Sequence, residues 1–166
     1  MHPLLRLGFP VHACDPRPEA VQKTRRTVAS LLGADEAESC VQEGTLPALD
    51  LPDETFNWVV MYRAEVWAED ANTFRTLLDE ARRVLTPGGW CYVSVPAQEE
   101  DIEADAQASG NGQSAPSAEP EAPLFSIASL ETHRSDAGLA EAEAPTLVRE
   151  TDGPRVHAIY RRVERD

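Results

Sequence analysis

The sequence predicts an α/β fold, a mostly parallel sheet that closes with an antiparallel hairpin at the C-terminal end. Three stretches carry the prediction: LLDEARRVLTPGGWCYVSVP at 77–96, VHACDPRPEAVQKTRRTVASLLG at 11–33, and the pair of strand-like runs around Asp152-Gly153-Pro154. The first couples an amphipathic helix to a buried strand, half of a βαβ unit, and such units build parallel sheets. The second repeats the arrangement as strand then helix. The third supplies turn chemistry between two strands, which antiparallel pairing needs.

The 77–96 stretch is the most regular. Phe74, Leu77, Leu78, Ala81, Val84 and Leu85 recur at helical spacing and form one apolar stripe. Pro87 lacks an amide donor and disfavours helix at Thr86, while Gly88 and Gly89 suit a helix stop. Trp90 to Val95 then reads as a strand, ended by Pro96.

Upstream, Val11 to Cys14 reads as a strand ending at Asp15. Pro18 and Glu19 suit the first turn of a helix whose stripe is Val21, Thr24, Val28, Leu31 and Leu32, with Gly33 as its stop. Ser39 to Glu43 is a short strand closing at Gly44, and Leu46 to Glu54 is a Pro-punctuated loop. Phe56 to Tyr62 is almost continuously apolar, the pattern of a strand buried on both faces. Downstream, Leu124 to Gly138 reads as a helix with Ser126 as N-cap, and Ala140–Arg149 and Arg155–Val163 as two strands.

Residues 97–123 break the pattern. They carry seven acidic residues and no basic one, so they hold half of the chain's net charge of -14. Few large apolar side chains occur there, too few to offset the entropy of ordering, and an acidic disordered insertion is expected within a single domain spanning 1–166. Gly110-Asn111-Gly112 is no phosphate cradle, since no strand precedes it and no helix follows.

Charge and composition exclude several classes. With a net charge of -14 and Lys23 its sole lysine, the surface repels phosphate, so no nucleic-acid or anionic-membrane partner is expected. No apolar run reaches the roughly 18 residues of a membrane span, and Arg6, Gly8 and Pro10 interrupt any leader-like run. Cys14, Cys40 and Cys91 are widely spaced without a CxxC pair, which predicts no metal site and a reducing, cytoplasmic setting. His2, His12 and His157 form no cluster, and no GxSxG, HExxH or P-loop pattern occurs.

Asp15 is the sharpest functional candidate. A carboxylate at the C-terminal end of a parallel strand faces the crevice where such sheets bind ligands, and it can accept hydrogen bonds from both hydroxyls of a ribose. The competing reading is a helix-capping or turn aspartate.

The order VHACDPRPEAV, a strand closing at Gly44, LPDETFNWVV and LLDEARRVLTPGG, followed by FSIASLETHRSDAGL and RVHAIYRRVE, resembles class I S-adenosylmethionine-dependent methyltransferases. The small-molecule branch is the most similar. The resemblance implies an incomplete Rossmann-like methyltransferase sheet, S-adenosylmethionine as cofactor and a small-molecule acceptor. By position it implies that Asp15 binds ribose and that Gly44, Thr45 and Leu46 lie along the adenine. Tyr62 and Arg63 would face the methionine part, and Trp67 the acceptor pocket. Glu65, Asp70 and His133 qualify as bases by residue type alone, so no catalytic residue is assigned.

Two departures from the family pattern stand out. The family's first strand and its GxGxG turn have no counterpart, and Thr45 and Asn57 stand where acids are frequent. In the family that strand lies between those at Val11 and Phe56. Buried unpaired backbone groups cost about 1–3 kcal/mol each, against about 5–15 kcal/mol for a whole domain. The gap therefore calls for direct pairing of Val11–Cys14 with Phe56–Tyr62, a strand from a partner chain or second copy, or residues upstream of Met1. For the chain as given, direct pairing or poor order over 1–15 is expected. The alternatives to an active methyltransferase are a catalytically silent binding or regulatory subunit and a nicotinamide-dependent oxidoreductase. The Leu85–Gly89 break and the final hairpin argue against the oxidoreductase.

Overall fold

A computed structural model describes residues 2–46, 48–98, 101–102 and 125–163. Its contacts divide the chain into two compact units, Met1–Asp50 and Leu51–Asp166.

The first unit comprises α1 (His2–Arg6), β1 (Ala13–Asp15), α2 (Pro18–Leu32), α3 (Ala34–Cys40) and β2 (Val41–Glu43). Pro18 opens α2 and Gly33 ends it at φ 103°, a conformation that costs glycine little. Val21 and Val28 of the predicted stripe are buried in a core with Leu5, Ala37, Cys40 and Val41. Residues 34–40, read in part as strand, form α3 instead. Its buried positions are just Ala37 and Cys40, too small a stripe to register as helical periodicity. β1 and β2 pair in parallel, Ala13 opposite Val41 and Asp15 opposite Glu43.

The second unit holds β3 (Phe56–Met61), a 3-10 turn (Ala64–Val66), α4 (Ala71–Val84), β4 (Leu85–Pro96), α5 (Ile127–Asp136), β5 (Leu139–Glu150) and β6 (Gly153–Arg162). Its sheet runs β3-β4-β6-β5, with β3 and β4 parallel and the other neighbours antiparallel. All six residues of the predicted α4 stripe are buried. The Asp70 carboxylate caps α4 by accepting from the Thr73 amide at 2.7 Å, and Ser126 caps α5 by accepting from the Ser129 amide at 3.2 Å.

The Pro-Gly-Gly segment is not a turn between helix and strand. The chain turns extended at Leu85, which pairs with Phe56, and Trp90 pairs with Trp58, so 86–89 bulge out of the ladder. A Cβ on Gly89 would lie 2.9 Å from the Thr86 carbonyl oxygen and 3.2 Å from that of Asn57. Only glycine allows that approach. Pro145 sits in β5, the far edge of the sheet, between register shifts, where a missing donor is tolerated.

Two expectations are corrected. β3 is not buried on both faces: Val59 and Met61 turn toward the core, while Trp58 and Val60 are 58% and 60% exposed. β3 is an edge strand, and the buried face of its sheet is the one that α4 and α5 serve. The direct pairing of Val11–Cys14 with Phe56–Tyr62 is also absent, because β1 pairs with β2 and β3 with β4, and neither has a second strand partner among the described residues. The three-residue β1 takes its ladder bonds from β2 within its own unit, and β3 takes its own from β4.

Most of the acidic stretch lies outside the described residues. Within it, Asp101 is buried, and its carboxylate accepts from the amides of Gln98 at 3.3 Å and Ile127 at 3.1 Å.

Candidate functional site

In the first unit the candidate residues gather at the C-terminal ends of β1 and β2. Asp15 closes β1, and the Gly44 amide donates to the Asp15 carbonyl at 3.2 Å, which brings these two predicted residues together. Gly44 is buried, Leu46 half-buried and Thr45 exposed. The Asp15 carboxylate is engaged on both oxygens within its own turn. Oδ1 accepts from the Arg17 amide at 3.0 Å and from Arg17 Nε at 2.9 Å, and Oδ2 accepts from Arg17 Nη2 at 2.9 Å. The sequence sets this up: Pro18 locks the first helical position and leaves Arg17 extended at the N-cap, so its side chain folds back. The Arg17 guanidinium holds the Asp15 carboxyl below the usual carboxylate range.

In the second unit a polar network sits where β3 and β4 end. Arg63 follows β3 at φ 61°, ψ 53°, a left-handed backbone that a non-glycine residue adopts at a cost. Its guanidinium lies 2.9 Å from Asp152 and 3.5 Å from Glu65. Arg155 Nη2 donates to Glu65 at 2.8 Å, and its Nε donates to Ser94 Oγ at 2.8 Å. The Tyr62 hydroxyl donates to Glu150 Oε2 at 2.6 Å, and His157 Nε2 lies 3.0 Å from Glu150 Oε1. One carboxylate thus joins an exposed phenol to an imidazole whose ring edge meets Tyr92. The bond to Glu150 is the main reason the Tyr62 phenol is pushed up from its usual value. Trp67 is half-buried just past the 3-10 turn.

The three groups named as bases by type have other occupations. Glu65 is buried against Arg155, Asp70 caps α4, and His133 packs edge-on against Phe74 with ring centroids 5.9 Å apart. Ser94, Glu150, Arg155 and His157 are the members of the network that sequence reasoning missed. A signal existed: Arg155 and His157 stand two apart in a strand, on either side of the apolar Val156, so they share one face. Among the described residues, no three His, Cys, Asp or Glu side chains group as a metal site.

A family model described as a methyltransferase domain matches residues 1–89. A search of curated proteins found no significant match. Among solved structures, the chain is similar to a SAM-dependent methyltransferase from Methanosarcina mazei, at 17% identity and a TM-score of 0.72, covering 99% of this chain and 87% of that one. It is similar to magnesium protoporphyrin IX methyltransferase from Synechocystis with bound SAH, at 12% identity and a TM-score of 0.67, covering 96% and 67%. It is also similar to a putative methyltransferase from Haloferax volcanii in complex with the Trm112 activator, at 17% identity and a TM-score of 0.59, covering 92% and 71%. At these identities the likeness is one of fold.

Proposed function

Because the chain belongs to the methyltransferase-domain family, we propose that it binds S-adenosylmethionine and serves methyl transfer to a small-molecule acceptor. The observation that carries this reading is Asp15 at the exit of a parallel strand, held ionised, with Gly44 bonded to its carbonyl. That acceptor suits a ribose hydroxyl, since an ionised carboxylate offers about four acceptor positions and the Arg17 contacts take three of them.

In this reading Asp15 accepts the ribose hydroxyls, and the backbone of Gly44, Thr45 and Leu46 lies along the adenine. Tyr62 and Arg63 meet the methionine part, and Trp67 shapes the acceptor pocket. When bound, the cofactor supplies an activated methyl group, and the protein's own task is chiefly to align donor and acceptor, which is worth about 7–11 kcal/mol in favourable cases. The Arg155–Glu65–Ser94 network fixes the turn that carries Arg63. Glu150, bonded to Tyr62 and His157, is the group the geometry offers for holding a proton on the acceptor side. A cytoplasmic setting goes with this reading, and no helix among the described residues is long and apolar enough to cross a membrane.

The test is calorimetric titration with S-adenosylhomocysteine. The reading predicts saturable binding by the wild type and at least tenfold weaker binding by Asp15→Asn. No heat and no thermal shift at millimolar ligand rejects it.

A second reading rests on a different observation. The outer edges of β1 and β3 lack a strand partner among the described residues, and Trp58, Val60 and Tyr62 along β3 are exposed. A partner chain or second copy that adds a strand at β3 would satisfy that edge. The chain then acts as a catalytically silent subunit or needs its partner to become active. The similarity to a methyltransferase solved with an activator lends support. Light scattering on the purified chain separates the cases: a monomer at all concentrations leaves no place for a second copy.

A further inference from the structure

We infer that Arg17 sets the affinity of this chain for diol-bearing cofactors, by occupying the acceptor positions on Asp15 that a ribose must use. The inference rests on the proposed role of Asp15 and goes beyond it by naming a competitor within the chain.

Counting acceptor positions carries the argument. Each carboxylate oxygen accepts about two hydrogen bonds. Oδ1 of Asp15 already takes the Arg17 amide and Arg17 Nε, so it is saturated. Oδ2 takes Arg17 Nη2 and keeps one free position. A vicinal diol that donates one hydroxyl to each oxygen therefore finds room on Oδ2 alone. If the guanidinium leaves, the backbone amide still holds Oδ1, and one position opens on Oδ1 beside two on Oδ2. The diol then fits without disturbing the turn.

The guanidinium is free to leave. Its side chain is 51% exposed, that of Asp15 is 27% exposed, and the pair spans only two residues. The Arg17 side chain caps no helix amide, so α2 does not depend on it. Exposed ion pairs are weak and screened by salt, so release costs roughly a 1.5- to fivefold factor in affinity. Lysine cannot reproduce the two-pronged contact and would release Asp15 more readily.

The experiment is calorimetry with S-adenosylhomocysteine on the wild-type chain, Arg17→Gln, Arg17→Lys and Arg26→Gln, at low and high ionic strength. Arg26, exposed on α2 and bonded to the Gln22 carbonyl, controls for loss of a positive charge. The expected result is binding tightened roughly 1.5- to fivefold in Arg17→Gln, an intermediate gain in Arg17→Lys, and none in Arg26→Gln. Wild-type affinity should rise with salt while that of Arg17→Gln stays flat, a signature that a purely structural Arg17 would not produce. If the wild type binds and Arg17→Gln binds equally or more weakly, the inference is overturned and the reading of Asp15 stands. If no variant binds at millimolar ligand, both fail.

Discussion

The Arg155 guanidinium meets the Glu65 carboxylate at 2.8 Å with the two side chains only 4% and 6% exposed, so β6 is tied to the turn after β3 by a buried ion pair. Removing one partner strands a charge in a dry site, which costs about 3–5 kcal/mol. Glu65→Gln and Arg155→Met should each lose roughly this much in urea denaturation. The double variant should lose clearly less than the sum, because the second change removes the charge the first had stranded. Strict additivity would mean that the two do not interact in solution.

Tyr160 presents the opposite case. Its hydroxyl is buried with no partner among the described residues, and burial pushes the phenol above its usual range. An unmet buried hydroxyl carries a desolvation penalty that its removal relieves. Tyr160→Phe should therefore be neutral or stabilising by up to about 1 kcal/mol in thermal or denaturant unfolding. A loss above that size would reveal a partner for the hydroxyl.

Cys91 makes alkaline stability a probe of the core. Its thiol is fully buried, and desolvation pushes it up to about 12. The folded state thus keeps the proton that the unfolded chain sheds near pH 8.5, so the contribution is present below that pH and is lost as pH rises toward 12. Stability should fall by about 1.4 kcal/mol per pH unit from this group alone. Cys91→Ala, though less stable overall, should show a correspondingly shallower slope between roughly pH 9 and 11. Equal slopes would place the thiol in contact with water.

The same core shows how much was legible from sequence. The α4 stripe, the Pro18 start and Gly33 end of α2, the Ser126 cap and the hairpin at Asp152-Gly153 all follow from periodicity and local backbone chemistry, and all appear. What sequence missed depends on tertiary neighbours. Phe56–Tyr62 looked buried on both faces, but an apolar run does not say which strand pairs beside it, and β3 is an edge. Pro87-Gly88-Gly89 looked like a helix stop because helix ends and bulges use the same residues, and only the partner ladder distinguishes them. In the candidate site, Asp15 was visible through its place at the end of a strand. Arg17 as its occupant was not, since two-residue spacing fixes proximity but not the fold-back of a side chain. Glu150 and His157 meet through their side chains, while the hairpin register pairs His157 with Thr146 and Glu150 with Gly153, a contact only the structure supplies.

Gly89 offers a local check on the bulge. A methyl group there would press on two backbone carbonyl oxygens, at 2.9 and 3.2 Å, and on the buried Leu85 side chain at 3.0 Å. Gly89→Ala should cost about 1–3 kcal/mol in urea denaturation, through backbone shifts at the β3–β4 junction. An unchanged midpoint would mean that the bulge relaxes freely.

The central claim is that Asp15 and the segment following β2 receive the nucleoside part of S-adenosylmethionine. Amide chemical-shift mapping of the 15N-labelled chain during titration with S-adenosylhomocysteine tests it most directly. The account predicts saturable shifts at Asp15, Gly44, Thr45 and Leu46, and their disappearance in Asp15→Asn. Saturable shifts elsewhere that leave Asp15 and residues 44–46 unmoved, or no shifts at millimolar ligand, would contradict it.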